Sequence, residues 1–414
     1  MEVPVVSWLF LGVCLVGAWL AWNVYRPLDG RYTAGPSFFL GWLNGELGIH
    51  HIFWQGVVTL VFIRLGALDH APGQLGLAIA LASWAALGFH YLRGFEAKGA
   101  LDRALDEALG PDHAPMPDRV AWGPILRPFP IHAPGVERIR NVVYGRAAAQ
   151  DLKLDLYRPR GTVAGAGLPV FFYVHGGGWV IGTKNTQGLP IVNQLAERGW
   201  LCVNVNYRLS PGATFPDHLI DLKRALHWLR NEGVAYGADP DFVAVGGGSA
   251  GGHLSALLAL TAGDPEYQPG FEDADTSVQA AVPIFGVYDF VEPGKTWGHG
   301  GLAPFLEKHV MKATFAEDPK AFEKASPLHR IGPDAPPFLV VHGGSDTLVP
   351  PGEAREFVRA FRETASAPIG YAEIPGAQHA FDQFPSLRSQ ITRRGIEIFL
   401  EGIREAHVRR SAAA

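Results

Sequence analysis

Two stretches without a charged side chain constrain this chain before any other feature. Residues 3–25 (VPVVSWLFLGVCLVGAWLAWNVY) and 71–92 (APGQLGLAIALASWAALGFHYL) contain no Asp, Glu, Lys or Arg. About 20 apolar residues in a helix cross a bilayer core, and a soluble helix of that length needs a charged outer face. Both stretches are therefore expected to be transmembrane helices. A third uncharged stretch, 47–63, lies between Glu46 and Arg64 and contains His50, His51 and Gln55. It spans only if Arg64 snorkels to the interface, and is otherwise re-entrant. No Lys or Arg precedes the first stretch and no clear small-residue cleavage site follows it, so it is expected to stay as an anchor. With three spans, Arg26, Arg31, Arg93, Lys98 and Arg103 share one side, which makes that side cytoplasmic and the N-terminus external. Residues 1–93 are thus expected to be a multi-pass membrane region of two to three helices. Its His50, His51 and Arg64 also leave open a transport or sensing role, although three spans make a small pore at best.

The remainder of the 414-residue chain reads differently. Over the full chain, 35 Lys and Arg against 40 Asp and Glu give a net charge of -5, too balanced to suggest a nucleic-acid-binding surface. The hydrophobic fraction of 48% excludes disorder. Cys14 and Cys202 are the sole cysteines, so neither a disulfide framework nor a cysteine zinc site is available. Residues 94–135 open with a helical pattern and turn Pro-rich, as a linker or cap segment would. From 136 to 408, strand-like runs at 138–144, 152–158, 168–174, 200–206, 241–246, 278–285, 337–342 and 368–374 alternate with helical patterns. The clearest of these helices are 187–198, 216–232, 250–262, 351–365 and 386–406. That alternation predicts an α/β fold on a mostly parallel eight-stranded sheet.

The chemistry is concentrated at four places in this region. An apolar strand runs into Gly247-Gly248-Ser249-Ala250-Gly251 and then into a helix. A nucleophile on a sharp strand-to-helix turn needs small neighbours, which makes Ser249 the candidate nucleophile. Upstream, the strand LPVFFYV ends in His175-Gly176-Gly177-Gly178-Trp179, where bare main chain can approach a substrate oxygen. Main-chain amides of these three glycines, together with that of Ala250, are the candidate oxyanion donors. Downstream, Asp346 follows a buried strand and His379 lies in the loop after the last strand, giving the order Ser, Asp, His. Asp382 is a competing acid, too near His379 in sequence to reach it from a neighbouring strand end. His175, His253 and His342 are expected to be structural.

These motifs resemble the α/β-hydrolase family over about residues 130–405. HGGG upstream of G-x-S-x-G is similar to the hormone-sensitive-lipase-like branch of carboxylesterases and lipases, as are YRLSP (207–211) and PPFLVVHG (336–343). The chain also resembles membrane-anchored bacterial, notably actinobacterial, esterase/lipase proteins and kynurenine-formamidase-like hydrolases. The resemblance implies an α/β-hydrolase fold, an acyl-enzyme pathway, small-molecule or lipid ester substrates, and no cofactor or metal. It implies Ser249 as nucleophile, His379 as base, Asp346 as the acid that orients it, and Gly177, Gly178 and Ala250 as oxyanion donors. One position departs from the branch, whose elbow reads GDSAGG, because Gly248 stands in place of the acid.

A stretch from 289 to 336 carries Phe290, Trp297, Phe305, Met311, Phe315 and Phe322, which would either form a lid over an acyl pocket or make a second small core. The glycines also spell G-x-G-x-x-G (Gly246, Gly248, Gly251), but no acid closes the following strand as dinucleotide binding requires. A formamidase-like amide hydrolase or a non-catalytic scaffold on the same fold are the remaining alternatives.

Overall fold

The computed structural model describes residues 4–117, 119–129, 132–147, 150–291 and 301–413. The N-terminal region is helical: α1 (Val5–Tyr25), α2 (Ala34–Glu46), α3 (Gly48–Arg64) and α4 (Ala71–Leu92). Among the described residues two helices, Val5–Tyr25 and Ala71–Leu109, are long and apolar enough to cross a membrane, or three spans if α2 and α3, bent by 89°, count as one. The outward faces carry Trp8, Leu9, Trp19, Trp54, Leu60, Leu81 and Phe89, all more than half exposed. An apolar surface of that extent suits contact with lipid or with another protein. The inward faces are joined by small and polar contacts: Ser7 Oγ donates to Ala67 O (2.8 Å), Trp84 Nε1 to Gln55 Oε1 (2.8 Å), and Asn23 Nδ2 to Ser37 O (2.9 Å).

The stretch 47–63 was expected to span or re-enter, and it forms α3, which turns sharply away from a helix that hydropathy did not single out. That helix is α2. It carries Gly35, Pro36, Gly41, Asn44 and Gly45, a composition too mixed to register as a span.

α4 runs on through a tight turn at Arg93–Phe95 into α5 (Glu96–Leu109), making 39 residues of nearly continuous helix. The segment expected as linker and cap thus begins with a packed element. α5 buries Ala97, Ala100, Leu101, Ala104, Leu105 and Ala108, spaced for one helix face.

All eight expected strands are present: β1 (Val136–Ala147), β2 (Gln150–Pro159), β3 (Leu168–Val174), β4 (Leu201–Val205), β5 (Ala238–Gly248), β6 (Ala280–Ile284), β7 (Phe338–Gly343) and β8 (Ile369–Ile374). The sheet order is β1-β2-β4-β3-β5-β6-β7-β8. It is mixed: β1, β2 and β4 pair antiparallel, whereas β4-β3-β5-β6-β7-β8 are parallel. Strands such as β3 and β4 read as continuous apolar runs because helices cover both faces.

A short α6 (Trp122–Leu126) follows α5, and the covering helices are α7 (Leu189–Glu197), α8 (Asp217–Glu232), α9 (Ala250–Leu260), α10 (Pro319–Ala325), α11 (Gly352–Thr364) and α12 (Leu387–Ala413). Alternate side chains divide the core in two. Val170, Phe172 and Val174 face α8 and α9, while Phe171 and Tyr173 face the layer of α5, α7 and α12. α5 packs on β8 and on α12, where Leu101 fills the space beside Gly395. Replacing Leu101, which is fully buried, by Ala is expected to cost about 2–5 kcal/mol of stability. Guanidinium unfolding of the solubilised chain, followed by tryptophan fluorescence, checks this, and a loss below 1 kcal/mol would mean α5 is only a tether.

Candidate active site

β5 delivers the chain to Ser249 and α9 takes it away, so the serine sits on the turn with φ 57° and ψ -123°. A non-glycine residue at positive φ is strained, and the surroundings hold it there: Ser249 N donates to Ile284 O at 2.9 Å, and His253 N to Ser249 O at 3.0 Å. Side chains on Gly247 or Gly251 would run into Val174 O, so only glycine lets the turn lie this close to β3. A Cβ at Gly248 would sit 2.8 Å from the Phe285 ring, which accounts for the missing acid at that position. Ser249 is half-buried.

The glycine loop lies directly against it. A Cβ on Gly176 would come 3.0 Å from Ser249 Cβ. Gly177 and Gly178 have φ of 117° and 59°, and a side chain on Gly177 would strike Ile181 O. Gln187 Oε1 accepts from Gly176 N (2.7 Å) and so pins the loop. Sequence reasoning missed Gln187, since an isolated glutamine in a polar loop carries no signal.

Gln187 is itself held from behind. Asn204 Nδ2 donates to Gln187 O (2.9 Å) and to Lys184 O (3.0 Å). Lys184 Nζ reaches Asp155 Oδ1 at 2.6 Å, and Arg138 shares that buried carboxylate. His175 donates through Nδ1 to Gly176 O (2.8 Å) and stacks on Tyr207, with ring centroids 4.5 Å apart. Burial lowers its pKa to about 4, so it is neutral and structural. His253 is likewise structural, since it accepts from Trp179 Nε1 (3.2 Å) and donates to Ala325 O (2.7 Å).

Across the site, the loops after β7 and β8 bring Asp346 and His379 together. His379 Nδ1 lies 2.6 Å from Asp346 Oδ2, and both side chains are nearly inaccessible to solvent. The other carboxylate oxygen accepts from Leu348 N (2.9 Å) and Val349 N (2.8 Å). His342 Nε2 donates to Val349 O (2.8 Å) and lies 3.5 Å from Asp346 Oδ2. Burial alone would raise the Asp346 pKa, but the charge of His379 and hydrogen bonds from His342 and His379 outweigh it and hold it at about 2. Asp382 is different. Its Oδ1 accepts from Gln383 Nε2 (2.9 Å), and burial pushes its pKa up to about 6.

Aromatic rings surround this group. Phe285 packs on the His379 ring at 4.6 Å, Phe305 lies beside Gly178, and Phe38 of α2 meets His379 nearly edge to face at 5.8 Å. The expected lid stretch divides: Phe290, Met311 and Phe322 are buried in the main core, with Phe290 packed on Trp179 at 5.3 Å, Phe315 is partly exposed, and Phe305 lies against Gly178. Trp297 lies outside the described residues.

With this geometry in hand, comparisons with known proteins are decisive for the family. The BD-FAE family model matches residues 154–361. The chain belongs to the BD-FAE family of α/β-hydrolases. It is 41% identical over 406 residues to the probable carboxylic ester hydrolase LipM of Mycobacterium tuberculosis, covering 94% of this chain and 92% of that one. It is 40% identical to the esterase LipQ of the same organism, covering 88% and 85%. Among solved structures it is similar to the Thermogutta terrifontis esterase Est2, with a TM-score of 0.55 and 25% identity, over 66% of this chain and 93% of that one.

The Asp346 contacts have a consequence for stability. A carboxylate ordinarily titrating near 3.8 and held at about 2 stabilises the fold fully above pH 4, and that contribution disappears as pH falls from 4 to 2. It is worth about 2 kcal/mol. Denaturant unfolding of the chain and of Asp346→Asn is expected to show a stability gap that narrows by that amount over this window. A gap independent of pH would mean the carboxylate is not held ionised.

Proposed function

We propose that the chain is a membrane-anchored serine hydrolase that cleaves carboxylic esters through Ser249, His379 and Asp346. The observation that carries the reading is the 2.6 Å contact between Asp346 and His379 Nδ1, with Phe285 packed on the His379 ring and beside Gly248, the neighbour of the strained, half-buried Ser249. Asp346 accepts a hydrogen bond from Nδ1–H, which leaves Nε2 as the base. Ser249 Oγ attacks the ester carbonyl carbon as its proton passes to Nε2. The carbonyl oxygen becomes an anion, held by the amides of Gly177, Gly178 and Ala250 beside the positive end of α9. The C–O bond to the leaving alcohol breaks, and the alcohol departs with the proton from Nε2. Water repeats the sequence, releasing the acid and restoring Ser249. No metal or cofactor enters these steps.

In this reading residues 1–93 anchor the chain in several passes, with the catalytic domain (136–408) cytoplasmic on the strength of Arg26, Arg31, Arg93, Lys98 and Arg103. The apolar surface of α1, α3 and α4 supports the anchor. Esters are the substrate class supported by the named activities of LipM and LipQ.

Fluorophosphonate labelling of isolated membranes, run beside nitrophenyl ester hydrolysis, tests the assignment. Ser249→Ala is expected to abolish labelling and lower kcat by at least ~10³-fold, with Asp346→Asn lowering it by about 10³–10⁴-fold. Retention of labelling in Ser249→Ala would remove the serine from the mechanism.

A further inference from the structure

One face of α2 lies along the loops that carry the acid and the base. Ala34 O accepts from Thr347 Oγ1 at 3.3 Å, next to Asp346. One turn later Phe38 meets the His379 ring, and at the following turn Gly41 faces the Gln378 side chain and Trp42 stacks on Phe384 at 5.0 Å. At the end of the helix Glu46 accepts from Ser386 Oγ (2.5 Å) and pairs with Arg388 (3.4 Å), both contacts being buried. Positions 34, 38, 41, 42 and 46 form a single helical stripe. The residue adjoining that stripe, Phe39, is exposed and touches Phe38, with ring centroids 4.8 Å apart. α2 also belongs to the bent helix pair that is apolar enough to enter a bilayer.

Aromatic contacts therefore run from the exposed Phe39 through the buried Phe38 to the imidazole. Phe285 and Phe305 close other sides of the same centre. A short acyl group needs none of the run from Phe38 to Phe39, whereas a long alkyl chain would cover it and gain apolar burial with each methylene.

We propose that α2 is the membrane-side wall of the ester site, with Phe38 and Trp42 selecting esters that carry a long apolar chain and arrive from the bilayer. This rests on the serine-hydrolase reading of the same site. Phe38 acts by contact with the chain of the substrate. Glu46, through Ser386 and Arg388, is a positioning residue that keeps the wall against the His379 loop.

The test uses the full chain in lipid nanodiscs and a nitrophenyl ester series from acetyl to palmitoyl, with Ser249→Ala, Phe38→Ala, Phe38→Leu and Trp42→Ala. The wild type is expected to prefer octanoyl or longer chains. Phe38→Ala is expected to lower the ratio of kcat/KM for decanoyl over acetyl esters at least tenfold, mainly through KM, with Phe38→Leu recovering most of it. Fluorophosphonate labelling reports whether each variant is folded, and Trp42→Ala carries the comparison if Phe38→Ala does not label. A ratio unchanged in labelled variants, or all chain lengths falling by one factor, would overturn the wall. Survival of hydrolysis in Ser249→Ala would instead overturn the catalytic reading beneath it. A long-chain ester supplied within the same nanodisc is expected to turn over at least tenfold faster than one in separate vesicles, and equal rates would overturn the bilayer route.

Discussion

Val174 O occupies the space that a side chain on Gly247 or Gly251 would need, so β3, β5 and the first turn of α9 meet with only hydrogen atoms between them. That approach brings the glycine loop after β3 against Ser249, so that a Cβ on Gly176 would lie 3.0 Å from Ser249 Cβ. A single methyl group at either glycine would separate them. The same crowding reaches Gly248, where a side chain would displace Phe285. Phe285 in turn packs on His379. The residue that departs from the branch's usual elbow thus leaves room for the ring that packs on His379.

Backbone closeness alone would not keep the glycine loop in place, because a glycine-rich segment loses more conformational entropy on ordering than any other. The fold supplies restraint through polar groups buried behind it. Asp155 is fully buried, yet Lys184, Asn141 N and Arg138 together hold its pKa below the usual value despite the cost of burial. Removing one member of such a buried set leaves an uncompensated charge, so the set resists loosening. It fixes Lys184, Asn204 ties that stretch to Gln187, and Gln187 binds Gly176 N. The antiparallel edge of the sheet is in this way connected to the glycine loop that lies against Ser249.

Much of this was legible in the amino-acid sequence, and the reason is local. The eight strands announce themselves as apolar runs bounded by turns, and Gly247, Ser249 and Gly251 sit where a strand pattern gives way to a helix pattern. Asp346 and His379 follow two of those runs, so strand assignment carried them along. What could not be read depends on contacts between residues far apart in the chain. Gln187 has no local pattern, and neither does the Asp155 set. The aromatics at 289–336 look alike in sequence, but only packing separates Phe305 from Phe290 and Phe322. α2 was hidden for both reasons, having a weak apolar pattern and partners more than 300 residues away.

Packing also changes what the N-terminal region is. A flexible tether would let the catalytic domain sample many distances from the bilayer, since its reach grows with linker length. Here α4 passes into α5 without a loop, Tyr91 near the end of α4 lies in the same core as Phe381 and Leu387, and α5 covers β8. His90 accepts no such freedom either, being hydrogen-bonded to Arg388, which Glu46 also holds. The loop bearing His379 is therefore shared between the two regions. Its position relative to any surrounding lipid is set by side-chain contacts, and a perturbation of the apolar helices would reach the imidazole through Phe38 before it reached the sheet.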